Sequence, residues 1–221
     1  MRLMSGHVFR AHEPDSPLRA RDFARVVLLA VALLVAGCSK PAKLPPLAPD
    51  AVVLAFGDSL TYGTGAAEEN SYPAQLERLI GRRVVRAGVP GEVTAAALDR
   101  LPGVLDEYGP GLLLLCIGGN DFLRRLGNTQ ASANVREMVK LARGRGVEVV
   151  LVGTPEPGLS VSPPDFYAEI AKEFRIPYEG SVIGEVLRDA DLKSDPIHPN
   201  ERGYRRIAER LAALLKSSGA L

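Results

Sequence analysis

Apolar and polar positions along the chain fall into two alternating patterns. Short apolar runs at residues 52–56 and 112–117, and a third at 147–152 interrupted only by Glu148, end in glycine, as strands buried on both faces of a parallel sheet do. Between them, apolar residues recur at helical spacing. Leu76, Leu79 and Ile80 predict a helix over residues 73–80, and the same spacing predicts helices over 94–105, broken near Pro102-Gly103, and over 131–143, stopped by Gly144 and Gly146. Further helices are expected over 165–174, 182–188 and 201–216, and weaker strands over 83–87 and 176–178. Residues 154–164, rich in proline, serine and glycine, read as a loop. Strand and helix in alternation imply right-handed crossovers. The expected fold is therefore α/β: a three-layer α/β/α sandwich around a parallel, flavodoxin-like sheet of about five strands.

Ahead of the first strand the pattern changes. Residues 1–25 carry five arginines against three acids, and residues 26–36 are apolar. A basic segment followed by about a dozen apolar residues and then small ones has the form of a secretory signal, too short for a confident spanning helix. Val35-Ala36-Gly37-Cys38 resembles the lipobox of bacterial lipoproteins. That resemblance implies a signal peptide over residues 1–37, cleaved before Cys38, and an acylated Cys38 that holds the protein on a membrane of the cell envelope, at the periplasmic face or outer membrane in a diderm source. Several acyl chains on one residue make such an anchor stable. A plain signal peptide or a retained anchor is the alternative, and the long leader is compatible with translation from Met4. Residues 38–49, with Pro41, Pro45, Pro46 and Pro49, read as a semi-rigid tether, leaving a folded domain expected over 50–221.

Composition narrows the chemistry. A formal net charge of +1 over 221 residues, with no acidic or basic block, gives no reason to expect a nucleic-acid partner. The two cysteines are Cys38 and Cys116, and Cys116 lies within an apolar run, so a buried inert thiol is expected rather than a structural disulfide. After Cys38 there is one histidine, His198. Any imidazole chemistry in the folded domain must use it. Gly63-Thr64-Gly65 falls short of a dinucleotide fingerprint, no Gly-Lys-Ser/Thr phosphate loop exists, and no metal ligands cluster beyond Asp195 and His198. No metal site is expected on these grounds.

Four strand ends or following loops supply what acyl transfer needs. Ser59, in Gly57-Asp58-Ser59-Leu60, offers a hydroxyl where α/β sheets present ligands, although a serine there also suits a helix cap or a turn. A hydroxyl is a weak nucleophile unless an imidazole takes its proton and a carboxylate fixes the tautomer of that imidazole. Asp195-Pro196-Ile197-His198 allows both on one loop. Ser59 and Gly91 backbone N–H groups and the Asn120 amide are candidate donors to an oxyanion, with Gly88 competing for the place of Gly91. Asp58 and Asp121 are expected to brace loops, and Asn200 to cap the last helix. Tyr62 and the loop over 154–166 suit either a pocket or surface packing.

Gly57-Asp58-Ser59-Leu60, Gly91 in Gly88-Val89-Pro90-Gly91-Glu92, Gly118-Gly119-Asn120-Asp121 and Asp195-Pro196-Ile197-His198-Pro199-Asn200 together resemble, in order and context, the four blocks of the SGNH (GDSL) hydrolases. The nearest type is the bacterial arylesterase and acyl-CoA thioesterase/lysophospholipase, over about residues 51–216. The resemblance implies that Ser59 is the nucleophile, His198 the base and Asp195 its partner, with Ser59, Gly91 and Asn120 as the oxyanion hole. It implies a flavodoxin-like fold and no cofactor. The expected activity is a serine esterase acting on a small-molecule or lipid acyl ester or thioester. Deacetylation of envelope polysaccharide or peptidoglycan, or acyl or glycan binding without turnover, are the alternatives.

Overall fold

Five parallel strands, β1 (Val53–Gly57), β2 (Val84–Gly88), β3 (Leu112–Cys116), β4 (Glu148–Val152) and β5 (Tyr178–Glu179), form one sheet in the order β2-β1-β3-β4-β5, the expected flavodoxin-like order. The computed structural model describes residues 42–158 and 161–221. The expected signal peptide over 1–37, Cys38 and the first tether residues lie outside the described residues, as do positions 159 and 160 of the long loop. Among the described residues no helix is long and apolar enough to cross a membrane.

The unbroken apolar runs are explained by burial on both sides of the sheet. Successive side chains point to opposite faces of a strand. Val53, Ala55, Leu112 and Leu114 face a layer made by α2 (Tyr72–Ile80), α7 (Val182–Arg188) and α8 (Glu201–Ser218). Leu54, Phe56, Leu113 and Leu115 face α3 (Thr94–Tyr108), α5 (Asn128–Gly144) and α6 (Phe166–Phe174). Each buried leucine contributes roughly 1.5–3 kcal/mol. The four consecutive leucines of β3 therefore belong at the centre, where β3 pairs with β1 and β4.

Three expectations are corrected. The helix expected to break at Pro102-Gly103 runs unbroken from Thr94 to Tyr108. Pro102 forfeits one main-chain hydrogen bond, but Ala97, Leu101 and Leu105 on the same helix are buried against the sheet, and that packing outweighs the loss. The edge strand is only Tyr178–Glu179, bonded beside Leu151 and Val152, rather than residues 176–178. The domain also begins before Asp50. Leu44 and Leu47, at 6% and 9% exposure, pack into the α8 layer, and their N–H groups donate to the carbonyls of Ser218 and Ala220. The last residues of the expected tether are thus a strap on the domain.

Because β1 lies between β2 and β3, the chain leaves it toward one neighbour and later returns to the other. In parallel sheets that is where a crevice opens beyond the carboxyl ends of the strands. Ser59 follows β1, Gly91 follows β2 and Asn120 follows β3.

Candidate active site

The turn after β1 is made by crowding. A Cβ on Gly57 would lie 1.8 Å from the Cys116 carbonyl oxygen and 2.6 Å from Thr61 Oγ1, so only glycine fits where β1 meets β3. Asp58 then caps a four-residue helix, α1 (Ser59–Tyr62), by accepting the Leu60 N–H at 3.0 Å. Ser59 is the first residue of that helix. A Cβ on Gly88 would lie 2.1 Å from the Tyr62 nitrogen, so packing against α1 accounts for glycine at that position.

His198 arrives from the loop before α8. One Asp195 carboxylate oxygen accepts the N–H groups of Ile197 and His198, both at 2.9 Å, which folds the loop back on itself. The other oxygen lies 2.8 Å from His198 Nδ1, and His198 Nε2 lies 3.0 Å from Ser59 Oγ. Partial burial alone pushes the Asp195 carboxyl up, but the Ile197 N–H and the bond and charge of His198 hold it below its ordinary value. An ionised carboxylate at Nδ1 places the imidazole proton there and leaves Nε2 to accept from the serine hydroxyl. Asn200 secures the loop on both sides: it caps α8 through Gly203 N–H at 3.1 Å and donates to the Asp191 carbonyl at 2.9 Å.

After β3 a second short helix, α4 (Gly119–Leu123), carries Asn120. The Asn120 amide donates one hydrogen bond to the Glu92 carbonyl at 2.9 Å, which leaves its second N–H for another acceptor. Asp121 braces the site as expected: its carboxylate accepts Thr94 Oγ1–H at 2.6 Å and Thr94 N–H at 2.8 Å. Gly91 takes a left-handed φ of 79° in the turn after β2, and its carbonyl accepts Arg124 Nη2 at 2.7 Å. Ser59, Asn120 and His198 line one cavity of about 250 Å³; Gly91 is not among the lining residues.

The apolar part of the lining comes from helices and loops distant in sequence: Leu123, Pro155, Val161, Leu187 and Ile197. Part of the loop over 154–166 therefore shapes the pocket. Tyr62 does not; it is 45% exposed, with the Arg86 guanidinium 4.6 Å above its ring. Cys116 is a free, buried thiol whose pKa burial raises, in keeping with an inert side chain. Two features of the surroundings carried no motif: the Arg124 contact with the Gly91 turn, and a half-buried ion pair between Arg100 and Glu92. Their only sequence signal is a cation one or two helical turns into a helix that follows a strand end.

Asp58 lines the same cavity floor. Burial is the main cause that pushes its carboxyl from 3.8 up to about 7, against the Leu60 hydrogen bond and with help from the charges of Glu92 and Asp121. A carboxyl raised on folding keeps its proton in the folded state where the unfolded chain has lost it. Its stabilisation is complete below the unfolded value and is lost as pH rises through about 7, a fall on the order of 3–4 kcal/mol. Asp58→Asn keeps an acceptor for Leu60 N–H and cannot ionise, so it should flatten that fall. Urea midpoints of both proteins at about pH 4.5 and pH 8 test this, and parallel pH dependences would contradict it.

Comparisons with known proteins agree with this geometry. Residues 55–206 match the GDSL-like Lipase/Acylhydrolase family. The chain is 28% identical over 204 residues to Esterase TesA of Pseudomonas aeruginosa, covering 84% of this chain and 98% of that protein. It is also 28% identical over 172 residues to Thioesterase 1/protease 1/lysophospholipase L1 of Escherichia coli, covering 74% of this chain and 83% of that one. Among solved structures, AlinE4, an SGNH-hydrolase family esterase, aligns with a TM-score of 0.61 at 31% identity over 76% of this chain and 96% of its own.

Proposed function

Because the chain belongs to the GDSL-like lipase/acylhydrolase family, we propose that its serine esterase activity runs through an acyl-enzyme on Ser59, with carboxylic esters or thioesters of short acyl groups as substrates. The observation that carries this reading is the unbroken relay from Asp195 through His198 to Ser59, opening on an apolar cavity. Ser59 Oγ attacks the acyl carbonyl while its proton passes to His198 Nε2. Asp195 stabilises the imidazolium, which then protonates the leaving alcohol or thiol. Water, deprotonated by the same imidazole, attacks the acyl-serine and releases the acid. The oxyanion formed at each stage is held by the N–H groups of Ser59 and Gly91 and the second N–H of Asn120, each donor worth about 10²–10³ in kcat.

Cavity shape supports the substrate class. Apolar walls suit an acyl chain, whereas a sugar ring needs polar partners for its hydroxyls. At about 250 Å³ the cavity lies below the usual range for ligand pockets of roughly 300–1,000 Å³. Short acyl chains are therefore expected to turn over faster than long ones.

The test is hydrolysis of p-nitrophenyl esters from acetate to palmitate, with Ser59→Ala measured beside the native protein. Activity that declines with chain length and disappears in the variant supports the reading. A folded protein inert on every ester would transfer it to glycan deacetylation or to binding without turnover. We extend the proposal to location, with Cys38 as the lipidated residue of an envelope lipoprotein. Cys38→Ser should move the protein from the membrane to the soluble fraction, and unchanged partitioning would refute the lipid anchor.

A further inference from the structure

We propose that Arg100 is a positioning residue for the oxyanion donors, acting through Glu92 on Asn120. Arg100 lies in α3, on none of the four motif blocks, and does not line the cavity. Its guanidinium nevertheless joins the segments that carry the reacting groups. Nε and Nη2 donate to the two Glu92 carboxylate oxygens at 2.7 and 2.6 Å. Nη2 also reaches the Ala87 carbonyl of β2 at 3.2 Å and the Gly57 carbonyl of β1 at 3.4 Å. Its flat face lies 4.0 Å from the centre of the Phe56 ring. One side chain thus fixes the end of β1, two residues before Ser59, to the end of β2 and to the residue after Gly91.

Glu92 transmits that constraint. Its side chain is only 6% exposed, so its carboxylate depends on the Arg100 fork for compensation. Its carbonyl is the one that accepts from Asn120 Nδ2 at 2.9 Å. An amide group is planar, so the direction of one N–H sets that of the other. The Glu92 carbonyl therefore aims the second Asn120 N–H, and Arg100 holds Glu92 where that aim is set. A purely structural ion pair would lower stability when broken, and catalysis only in proportion to lost folded protein.

This inference rests on the proposed role of Asn120, and a double-mutant cycle separates the two. Arg100→Met, Asn120→Ala and the double variant are assayed with a soluble short-chain ester, using protein verified as folded. Asn120→Ala should lower kcat about 10²-fold. Arg100→Met should lower kcat about 10–100-fold with KM nearly unchanged, yet cost less than about threefold once Asn120 is gone, because coupled residues do not act additively. Equal losses in both backgrounds, or an undiminished kcat in Arg100→Met, would overturn the role of Arg100 alone. Full activity in Asn120→Ala would overturn the Asn120 role, and this inference with it. If Arg100→Met does not fold, Arg100→Lys completes the same cycle. It keeps the charge but lacks the two-pronged fork, so a smaller loss of about 3–10-fold, again cancelled by Asn120→Ala, is expected.

Discussion

Replacing His198 by alanine should lower kcat by about 10⁴–10⁶-fold while leaving circular dichroism and melting temperature nearly unchanged. No other histidine follows Cys38, so no second imidazole can take the serine proton. The side chain is 15% exposed, and the loop keeps its shape through main-chain bonds: Ser194 N–H donates to the His198 carbonyl at 2.9 Å, and Asp195 accepts the His198 N–H. The fold has little reason to notice the loss. Asp195→Asn should cost less than His198→Ala, because a carboxylate 43% exposed leaves room for water to solvate the imidazolium. A His198→Ala protein that keeps more than about a tenth of native kcat, well outside the range for a triad base, would refute the relay.

Gly57→Ala should be less damaging to activity than His198→Ala but far more damaging to stability. The added methyl would fall 1.8 Å from a carbonyl oxygen of the adjacent central strand, which cannot swing away as a side chain can. Either β1 and β3 part at their carboxyl ends or the turn into α1 shifts. Both move Ser59 relative to His198, and displacement of about 1 Å in a reacting group costs about 10²-fold. We expect a clear fall in the urea midpoint together with at least that loss in kcat. Gly103→Ala is the matched control, since a Cβ there meets nothing within 4 Å and helix propensity favours alanine. Native-like activity and midpoint in Gly57→Ala would show that the crowding is relieved at no cost.

Much of this architecture is legible in the sequence because burial on two faces leaves a plain mark. The runs that become β1 and β3 carry no polar residue, and the helix over Val182–Arg188 has the bounds its spacing predicts. The candidate reacting groups are legible for a different reason: Ser59, Gly91 and Asn120 follow strand ends, where glycine and short polar residues stand out against apolar flanks, and His198 is the one histidine after Cys38. What escapes has identifiable causes. The helices α1 and α4 span four and five residues, too few to show a period. Pro102 is a strong local signal overruled by long-range packing. The cavity wall joins Leu123, Val161, Leu187 and Ile197 from four separate segments, a proximity that only the folded chain creates. Arg100 is one cation among many until its fork is seen closing on Glu92.

The strap formed by Leu44 and Leu47 sets where the chain enters the domain. Its partners, Ser218 and Ala220, stand at the far end of α8, whose first residues adjoin His198. An 18-residue helix is about 27 Å long, so the chain joins the domain at the pole opposite the mouth. Three residues lie between Cys38 and Ala42, and the four Cα–Cα steps reach at most about 14 Å. The acyl anchor proposed at Cys38 would then be a leash shorter than the length of that helix, joined to the domain at its strap. The catalytic mouth would look outward, and esters embedded in the anchoring bilayer would lie behind it. Substrate would have to arrive through the aqueous space or from a facing surface.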